Sequence, residues 1–223
     1  MMFEHQFRDL PSLRCENING QRFYHTPTGG CYPSVTSVLS RLSKDSIKAW
    51  RERVGAEEAN KITRRAASRG TSVHKLCEQY IKNETSKNGN VMPDTQEMFR
   101  AIQPHINQLN PIFCVEGSLF SDSLKVAGRT DCIAQYNGQL SVIDFKTSKN
   151  HKPQYILDKY FLQCTAYAQM WTEMFPEDPC NQIVLMITCD EGGPQIVTAQ
   201  RSDYLYKLRT VIGDFYENRD STS

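Results

Sequence analysis

The sequence predicts an α/β fold in which a mixed central sheet is flanked by helices and preceded by a helical N-terminal region. Three observations predict this class. Apolar residues at helical spacing dominate the first half of the chain, whereas residues 113–147 carry three strand-like runs. A second pair of strand-like runs follows a long helical segment, and a helical pattern closes the chain. Strands and helices in this order build one sheet with helices packed on it.

The N-terminal region is expected to form a small hairpin followed by helices. Residues 22–24 and 31–32 flank a glycine-containing segment, Thr26–Gly30, that favours a turn. A short helix is expected over residues 33–42. Longer helices are expected over 44–53, 55–83 and 94–109, with Pro104 as a kink or break in the last of them.

The second half of the chain predicts the sheet. Strands are expected at 113–120, 126–136, 139–147, 182–189 and 195–199, and helices at 155–175 and 202–218. Asn137-Gly138 between two strand-like runs is the strongest short signal for a β-hairpin. We therefore treat residues 1–223 as a single domain with two portions, a hairpin and mainly helical portion over 1–110 and an α/β core over 111–223.

Composition excludes several classes of protein. With 223 residues and 39% hydrophobic side chains, the chain can form one packed domain, and no run approaches a membrane span of roughly 18 apolar residues. The 26 Lys and Arg nearly balance the 25 Asp and Glu, which excludes a globally basic DNA-packaging protein. Residues 41–75, however, hold ten basic against four acidic residues, so a local nucleic-acid surface stays open.

Cysteine usage and the N-terminus indicate the compartment. The eight cysteines include no C-x-x-C pair, which disfavours zinc ribbons and iron–sulfur clusters. Residues 1–10 show neither an export signal nor a transit peptide. We therefore expect reduced, mostly buried thiols in a cytoplasmic protein.

The predicted hairpin brings two carboxylates face to face. If Asn137-Gly138 is a two-residue turn, counting outward from it places Asp131 opposite Asp144, and Lys146 projects from the same face as Asp144. Facing like charges destabilise a strand pair unless a cation lies between them, and oxygen ligands favour a divalent cation. The alternative is a solvated ion pair at a frayed strand end, of Asp144 with Lys146 or of Asp131 with Arg129.

Further polar residues are candidates with simpler explanations. His74 lies beside the apolar face of the long helix, where a lone histidine is more often a hydrogen-bonded core residue than a ligand. Glu78 lies four residues later, and Gln163 and Tyr167 repeat that spacing on a later helix. Ordinary packing explains that last pair, and Glu116 has either a structural role, which is favoured, or a contact with a metal-bound water.

Taken in order, however, these residues resemble the signature of a known family, the RecB-like branch of the PD-(D/E)XK nucleases. The opening segment Tyr32–Leu39, followed by Trp50, is also similar to the family of mitochondrial genome maintenance exonucleases and their bacteriophage-encoded relatives. The first aspartate follows Arg129-Thr130 rather than proline, as is usual for this branch. The motifs are Gly70-x-x-x-His74, Gly128-Arg129-Thr130-Asp131, Asp144-x-Lys146 and Gln163-x-x-x-Tyr167.

The resemblance implies a PD-(D/E)XK restriction-endonuclease-like core and a metal-dependent DNA exonuclease. Such an enzyme hydrolyses phosphodiester bonds of single-stranded DNA or DNA ends, in replication, recombination or repair. Its Mg²⁺ or Mn²⁺ would be held by His74, Asp131, Asp144 and the backbone carbonyl of Phe145, and Lys146 would help to activate the attacking water. No iron–sulfur cluster is expected, because the flanking cysteine spacing is missing. Residues in supporting roles would be Glu78, Glu116, Gln163 and Tyr167.

The same resemblance gives the basic segment of the helical portion a role in DNA binding. Phosphate contacts and stacking on bases are the expected interactions. The alternative is a solvated helix face with Trp50 in the core. The residues expected to bind DNA are Arg51, Arg64, Arg65, Arg69, Arg129 and Trp50, with Lys48, Arg53, Tyr32 and Tyr80 as further candidates.

Two other functions stay open beside the exonuclease. One is a structure-specific flap nuclease or endonuclease with the same site, and the other is a non-catalytic DNA-binding recombination partner. The latter predicts losses among Asp131, Asp144 and Lys146, and all three are present. Besides DNA, we expect replication or recombination proteins as partners and no membrane. The cytoplasm, that of the host if the protein is phage-encoded, is favoured over the mitochondrial matrix.

Overall fold

The computed structural model describes residues 2–84 and 91–220, with side chains to residue 218, and contains two sheets surrounded by helices. The strands are β1 (Arg14–Ile18), β2 (Gln21–His25), β3 (Cys31–Pro33), β4 (Leu109–Ser121), β5 (Val126–Tyr136), β6 (Gln139–Ser148), β7 (Gln182–Cys189) and β8 (Gln195–Gln200). The helices are α1 (Val35–Leu39), α2 (Lys44–Val54), α3 (Ala56–Ile81), α4 (Pro93–Ile106), α5 (Gln154–Met174) and α6 (Arg201–Asp220). A 3-10 turn over Ser40–Ser43 joins the first two helices.

The larger sheet has the strand order β4-β5-β6-β7-β8 and is mixed, as predicted. Its β6 and β7 are parallel and connected through α5, whereas the other neighbours are antiparallel. The β5–β6 hairpin has the expected register, with Tyr136 opposite Gln139. Asn137 and Gly138 have φ of 51° and 77°, the left-handed conformation that a two-residue hairpin turn needs.

Helices cover both faces of the larger sheet. On one face, α5 and α6 pack over a core that includes Ile133 and Val142. On the other, α3 and α4 pack over Cys132, Ile143 and Phe145. Because side chains alternate along a strand, Asp144 and Lys146 point toward the α5 side, between two buried neighbours.

The smaller sheet, β1-β2-β3, lies against β5 through contacts of β2 and β3. Its β2–β3 hairpin is confirmed, whereas β1 was not predicted because its residues show no apolar alternation. Leu13 and Tyr24 join it to the larger sheet by packing with Ala127. The smaller sheet is therefore attached to β5, the first strand of the β5–β6 hairpin.

The α2 helix and the beginning of α3 project from this body. The α2 helix lies wholly within the described residues and carries no buried residue. In α3, Ala59 is buried but residues 60–68 are exposed, and burial resumes at Val73. We call α2 together with residues 56–68 the basic arm.

Three predicted boundaries are wrong. The short helix expected to reach Leu42 ends at Leu39, where the 3-10 turn begins. The helix expected to reach Leu109 ends at Ile106, and it runs through Pro104, which lies in the last turn of the helix. The strand expected from Phe113 begins at Leu109, because this segment pairs with Tyr136 at the turn end of β5. None of the helices in the described ranges is long and apolar enough to cross a membrane.

Candidate active site

The two predicted carboxylates lie where the β5–β6 hairpin opens. The described ladder between the strands ends at the pair Cys132–Ile143, one position before the aspartates. There the Phe145 N–H donates to Oδ2 of Asp131 at 2.9 Å, so this side chain replaces a backbone carbonyl as the acceptor. Asp144 is 2% exposed, which excludes a solvated ion pair of Asp144 with Lys146, and the other pair considered is not formed because Arg129 pairs with Glu116.

Asp144 is held by two side chains. Lys146 forms an ion pair with its Oδ2, and Gln163 donates to its Oδ1 at 3.4 Å. The Gln163 amide also donates to the Tyr167 hydroxyl at 3.4 Å, so the last motif braces the carboxylate from α5. The Lys146 ammonium lies 5.3 Å from the ring centroid of Tyr160.

Tyr160 was not identified from the sequence. It precedes Gln163 by three residues and Tyr167 by seven, a spacing that puts all three on one face of a helix. That spacing was the signal that could have found it.

The two aspartates have opposite pKa shifts. Burial raises the pKa of Asp144, and the charge of Asp131 adds to this, although Lys146 opposes both. Burial would also raise the pKa of Asp131, but the hydrogen bond and charge of His74, followed by Lys146, lower it overall. The pKa of Lys146 is raised despite burial, because Asp144 and Asp131 stabilise its charged form. The site therefore combines an ionised carboxylate with a firmly protonated ammonium.

His74 reaches the same place from α3. Its Nδ1 lies 3.4 Å from Oδ2 of Asp131, and its ring meets the buried Phe145 ring edge-on at 6.3 Å between centroids. Burial lowers the pKa of His74, but Asp131 outweighs this and raises it overall. His74 is thus a polar residue directed at the site rather than part of the apolar core.

Glu116 lies closer to the centre of the site than its supporting role suggested. One ligand atom each from His74, Glu116 and Asp131 lie within 4.8 Å of one another. Glu116 stands opposite Asp131, between the paired residues Val115–Cys132 and Gly117–Thr130. Its backbone has a φ of 54°, and burial, followed by the charge of Asp131, raises its pKa.

This donor set fits a divalent cation. Two carboxylates and one imidazole converge, and Asp144 lies at the adjacent position of the hairpin. Hard oxygen ligands suit Mg²⁺ or Mn²⁺, and an imidazole is better tolerated by Mn²⁺. Two of the donors, His74 and Glu116, line a cleft of about 430 Å³ together with Gly70, Thr71, Lys75 and Glu78.

Among the residues expected to bind DNA, two are exposed on the basic arm, Arg64 and Arg65. Arg51 donates to Asn60 at 2.7 Å within the arm. Arg69 forms two hydrogen bonds with the Asp190 carboxylate, at 2.7 and 2.9 Å, and so joins α3 to the end of β7. Arg69 therefore has a structural contact that the sequence did not indicate.

Of the remaining candidates, Arg129 and Glu78 have charged partners within the protein, and the others are described by their exposure. Arg129 Nε lies 2.7 Å from Oε2 of Glu116, beside the proposed metal ligands. Lys82 donates to Glu78 at 2.6 Å, and Trp50 is half-buried on α2. Lys48 and Arg53 are exposed.

The two stacking candidates outside α2 make polar contacts. The Tyr80 hydroxyl donates to Asn107 at 2.7 Å, and its ring packs edge-on against two phenylalanines. The Tyr32 hydroxyl donates to Asp122 at 2.7 Å, and that hydrogen bond raises its pKa to about 12. Both hydroxyls therefore serve to hold local structure.

Comparison with known families agrees with this arrangement. A family model described as the PD-(D/E)XK nuclease superfamily matches residues 95–213, a range that includes Glu116, Asp131, Asp144 and Lys146 but not His74. The chain belongs to the PD-(D/E)XK nuclease superfamily, which confirms the resemblance found in the sequence.

The curated relatives are more specific. Mitochondrial genome maintenance exonuclease 1 of Mus musculus is 27% identical over 129 residues, which are 54% of this chain and 38% of that protein. The Homo sapiens protein of the same name is 27% identical over 130 residues, again 54% and 38%. The chain thus matches about 38% of the length of these relatives.

A solved structure of a candidate exonuclease from Eubacterium rectale is similar with a TM-score of 0.48 and 10% identity. The likeness covers 71% of this chain and 68% of that one.

Proposed function

We propose that this protein is a metal-dependent DNA exonuclease that hydrolyses phosphodiester bonds in single-stranded DNA or at DNA ends. The observation that carries the proposal is the convergence of His74, Asp131, Asp144 and Lys146 in a member of a nuclease superfamily. The exonuclease names of the similar mouse and human proteins support cleavage from an end.

His74, Glu116 and Asp131 would hold the divalent cation, with Asp144 and the Phe145 carbonyl as further ligands. When bound, Mg²⁺ or Mn²⁺ neutralises phosphate charge and lowers the pKa of the attacking water. The carboxylates are already arranged for this, because Asp131 is fixed by the Phe145 N–H and Asp144 by Gln163. Fixed ligands spare the enzyme the reorganisation that a flexible site would need.

Lys146 would orient the attacking water and stabilise charge on a phosphate oxygen. Its raised pKa keeps the ammonium protonated at neutral pH, so it acts as a donor and a positive charge rather than as a base. The ion pair with Asp144 and the nearby Tyr160 ring restrict where the ammonium can go.

The basic arm would guide the DNA backbone to the cleft. Arg64 and Arg65 are exposed on α3, and the same helix carries His74 about two and a half turns later. Exposed guanidinium groups bind phosphates without reading sequence. This supports recognition of the DNA through its phosphate backbone rather than through its bases.

A digestion course with linear and circular single-stranded DNA of matched sequence, with Mg²⁺ or Mn²⁺, tests the proposal. We expect linear DNA to shorten while circles survive, and the position of an end label then reports polarity. The Asp144→Asn protein, prepared identically, controls for contaminating nuclease. Cleavage of circles would instead indicate a flap nuclease or endonuclease, and intact DNA with both metals would indicate a non-catalytic binding protein.

A further inference from the structure

A second group of metal-binding side chains lies on the smaller sheet. Glu16 on β1, His25 on β2 and Cys31 on β3 offer a carboxylate oxygen, a ring nitrogen and a sulfur that lie within 4.8 Å of one another. His25 pairs with Cys31 on one side and with Arg14 on the other, and Glu16 lies two residues from Arg14. Cross-strand partners and residues two apart share one face of a sheet, which explains why the three side chains meet.

One ring nitrogen of His25 in this group, Nε2, lacks a hydrogen bond among the described residues. Its Nε2 is shielded from solvent and lies 2.9 Å from Oε1 of Glu16, but the contact lacks hydrogen-bond geometry. Nε2 thus has no hydrogen-bond partner in the part of the chain that the structure describes. A shielded polar atom without a partner costs free energy, which a bound cation would recover.

We propose that Glu16, His25 and Cys31 bind a zinc ion. Thiolate, imidazole and carboxylate are the three ligand types of zinc, whereas Mg²⁺ and Mn²⁺ do not favour sulfur. The exposed Cys31 thiol can lose its proton to the solvent when the ion binds. Three protein ligands leave a fourth tetrahedral position for water. This site is separate in chemistry from the nuclease centre, whose ligand cluster contains no cysteine within the described residues.

One nearby cation opposes the ion but can move away. Arg14 Nη2 lies 3.7 Å from Oε2 of Glu16, and the Arg14 side chain is 78% exposed. An exposed pair of this kind contributes little free energy, so displacing it is a small cost beside three metal–ligand bonds.

The ion would connect all three strands of the smaller sheet. Four of the five residues of β1 are exposed, so little apolar burial holds this strand in place. A metal that binds the folded sheet stabilises it in proportion to the logarithm of its concentration over its dissociation constant. Because Tyr24 and Leu13 pack on Ala127 of β5, we expect zinc to fix the sheet against the catalytic hairpin without taking part in cleavage.

Metal titrations in excess Mg²⁺, which occupies the nuclease centre, test the proposal. The wild-type protein is expected to bind one equivalent of Zn²⁺, and Co²⁺ at the same site should show a near-ultraviolet thiolate-to-cobalt band. Cys31→Ser should abolish the band, and both Cys31→Ser and His25→Gln should weaken Zn²⁺ binding at least about tenfold. Nuclease activity in Mg²⁺ alone should be unchanged in both variants.

Cys15→Ser is the matched control. Cys15 is also exposed on the smaller sheet but pairs with Tyr24, on the opposite face from Cys31. The Cys15→Ser variant should retain the cobalt band and the zinc affinity of the wild type. Equal melting temperatures of the metal-free proteins would show that the variants are folded. If Cys31→Ser does not fold, His25→Gln, which keeps the thiol, provides a second variant. No stoichiometric Zn²⁺ binding, or a cobalt band that survives in Cys31→Ser, would overturn the proposal.

Discussion

The open end of the β5–β6 hairpin and the basic arm differ in how far their side chains are buried. Asp144 is 2% exposed and its Lys146 partner 20%, and α5 adds Gln163 to the same cluster. The arm, in contrast, has exposed residues from 60 to 68 and no buried residue in α2. Cleavage needs atoms held to fractions of an ångström, whereas following a phosphate backbone needs mainly positive charge.

One helix spans both regions. The first half of α3 belongs to the arm, and its second half buries Val73, Cys77 and Ile81 against the sheet. The hydrogen bonds from Nη1 of Arg69 to both carboxylate oxygens of Asp190 lie at the junction. Changes in the hairpin should therefore affect turnover, and changes in the arm should affect DNA affinity, which each of the following predictions tests.

The largest effect is expected from Asp144→Asn. Removing this charge should lower the cleavage rate by about 10³-fold, because a proposed metal ligand is lost and Lys146 loses its counterion. DNA affinity should be unchanged or higher, since negative charge is removed near the phosphate. Single-turnover cleavage and binding to labelled DNA measure the two quantities. Normal cleavage by this variant would show that the site is assigned to the wrong residues.

Lys146→Ala should lower turnover by about 10²-fold or more while leaving the Mg²⁺ dependence nearly unchanged. In the proposed mechanism the ammonium acts on water and phosphate and is not a metal ligand. Lys149→Ala is the matched control, because Lys149 is 75% exposed and pairs loosely with Glu191 at 3.8 Å. Equal losses in turnover and in metal affinity would contradict this role for Lys146.

Glu116→Gln should weaken metal binding rather than lower the cleavage rate of the metal-loaded enzyme. If Glu116 is a ligand, the Mg²⁺ concentration needed for half-maximal activity should rise about tenfold or more. Glu78→Gln is the control, since Glu78 lines the same cleft but is bonded to Lys82. The two variants are compared by activity across a Mg²⁺ series, and equal shifts would remove Glu116 from the ligand set.

The position of Glu116 also shows how far the sequence could predict this site. Asn137-Gly138 defines the register of β5 and β6, so the convergence of Asp131 with Asp144 followed from counting residues. Between β4 and β5, residues 122–125 carry no comparable turn signal, so nothing in the sequence placed Glu116 opposite Asp131. That placement depends on tertiary pairing.

The smaller sheet gives a second example. Asn19-Gly20 joins β1 to β2 with φ of 52° and 79°, the same turn signal as in the β5–β6 hairpin. The strand before it was missed because its residues, Arg14–Ile18, are polar and mostly exposed. Periodicity detects strands that bury one face, so a strand held by backbone pairing alone escapes it.

Gly128→Ala should moderately lower stability and the cleavage rate, because the added methyl group would displace Tyr167. A methyl group there would lie 2.8 Å from Cε1 of Tyr167, whose hydroxyl accepts a hydrogen bond from Gln163. We expect a loss of about 1–3 kcal/mol in the free energy of unfolding and slower cleavage, because the brace on Asp144 is displaced. Gly213→Ala, where nothing lies within 4 Å, should instead be neutral or stabilising. Urea denaturation separates the two, and equal stabilities would contradict the proposed contact.

The smallest effect on catalysis is expected from the double variant Arg64→Ala, Arg65→Ala on the arm. At saturating DNA its turnover should match the wild type, because neither side chain belongs to the carboxylate cluster. Its affinity should fall, and the slope of log K against log salt should become shallower by about 0.7 for each lost phosphate contact with single-stranded DNA. Arg209→Ala, an exposed change on α6, should leave that slope as it is. An unchanged slope in the double variant would remove the arm from the DNA path, and a drop in turnover at saturation would show that the arm also positions the scissile phosphate.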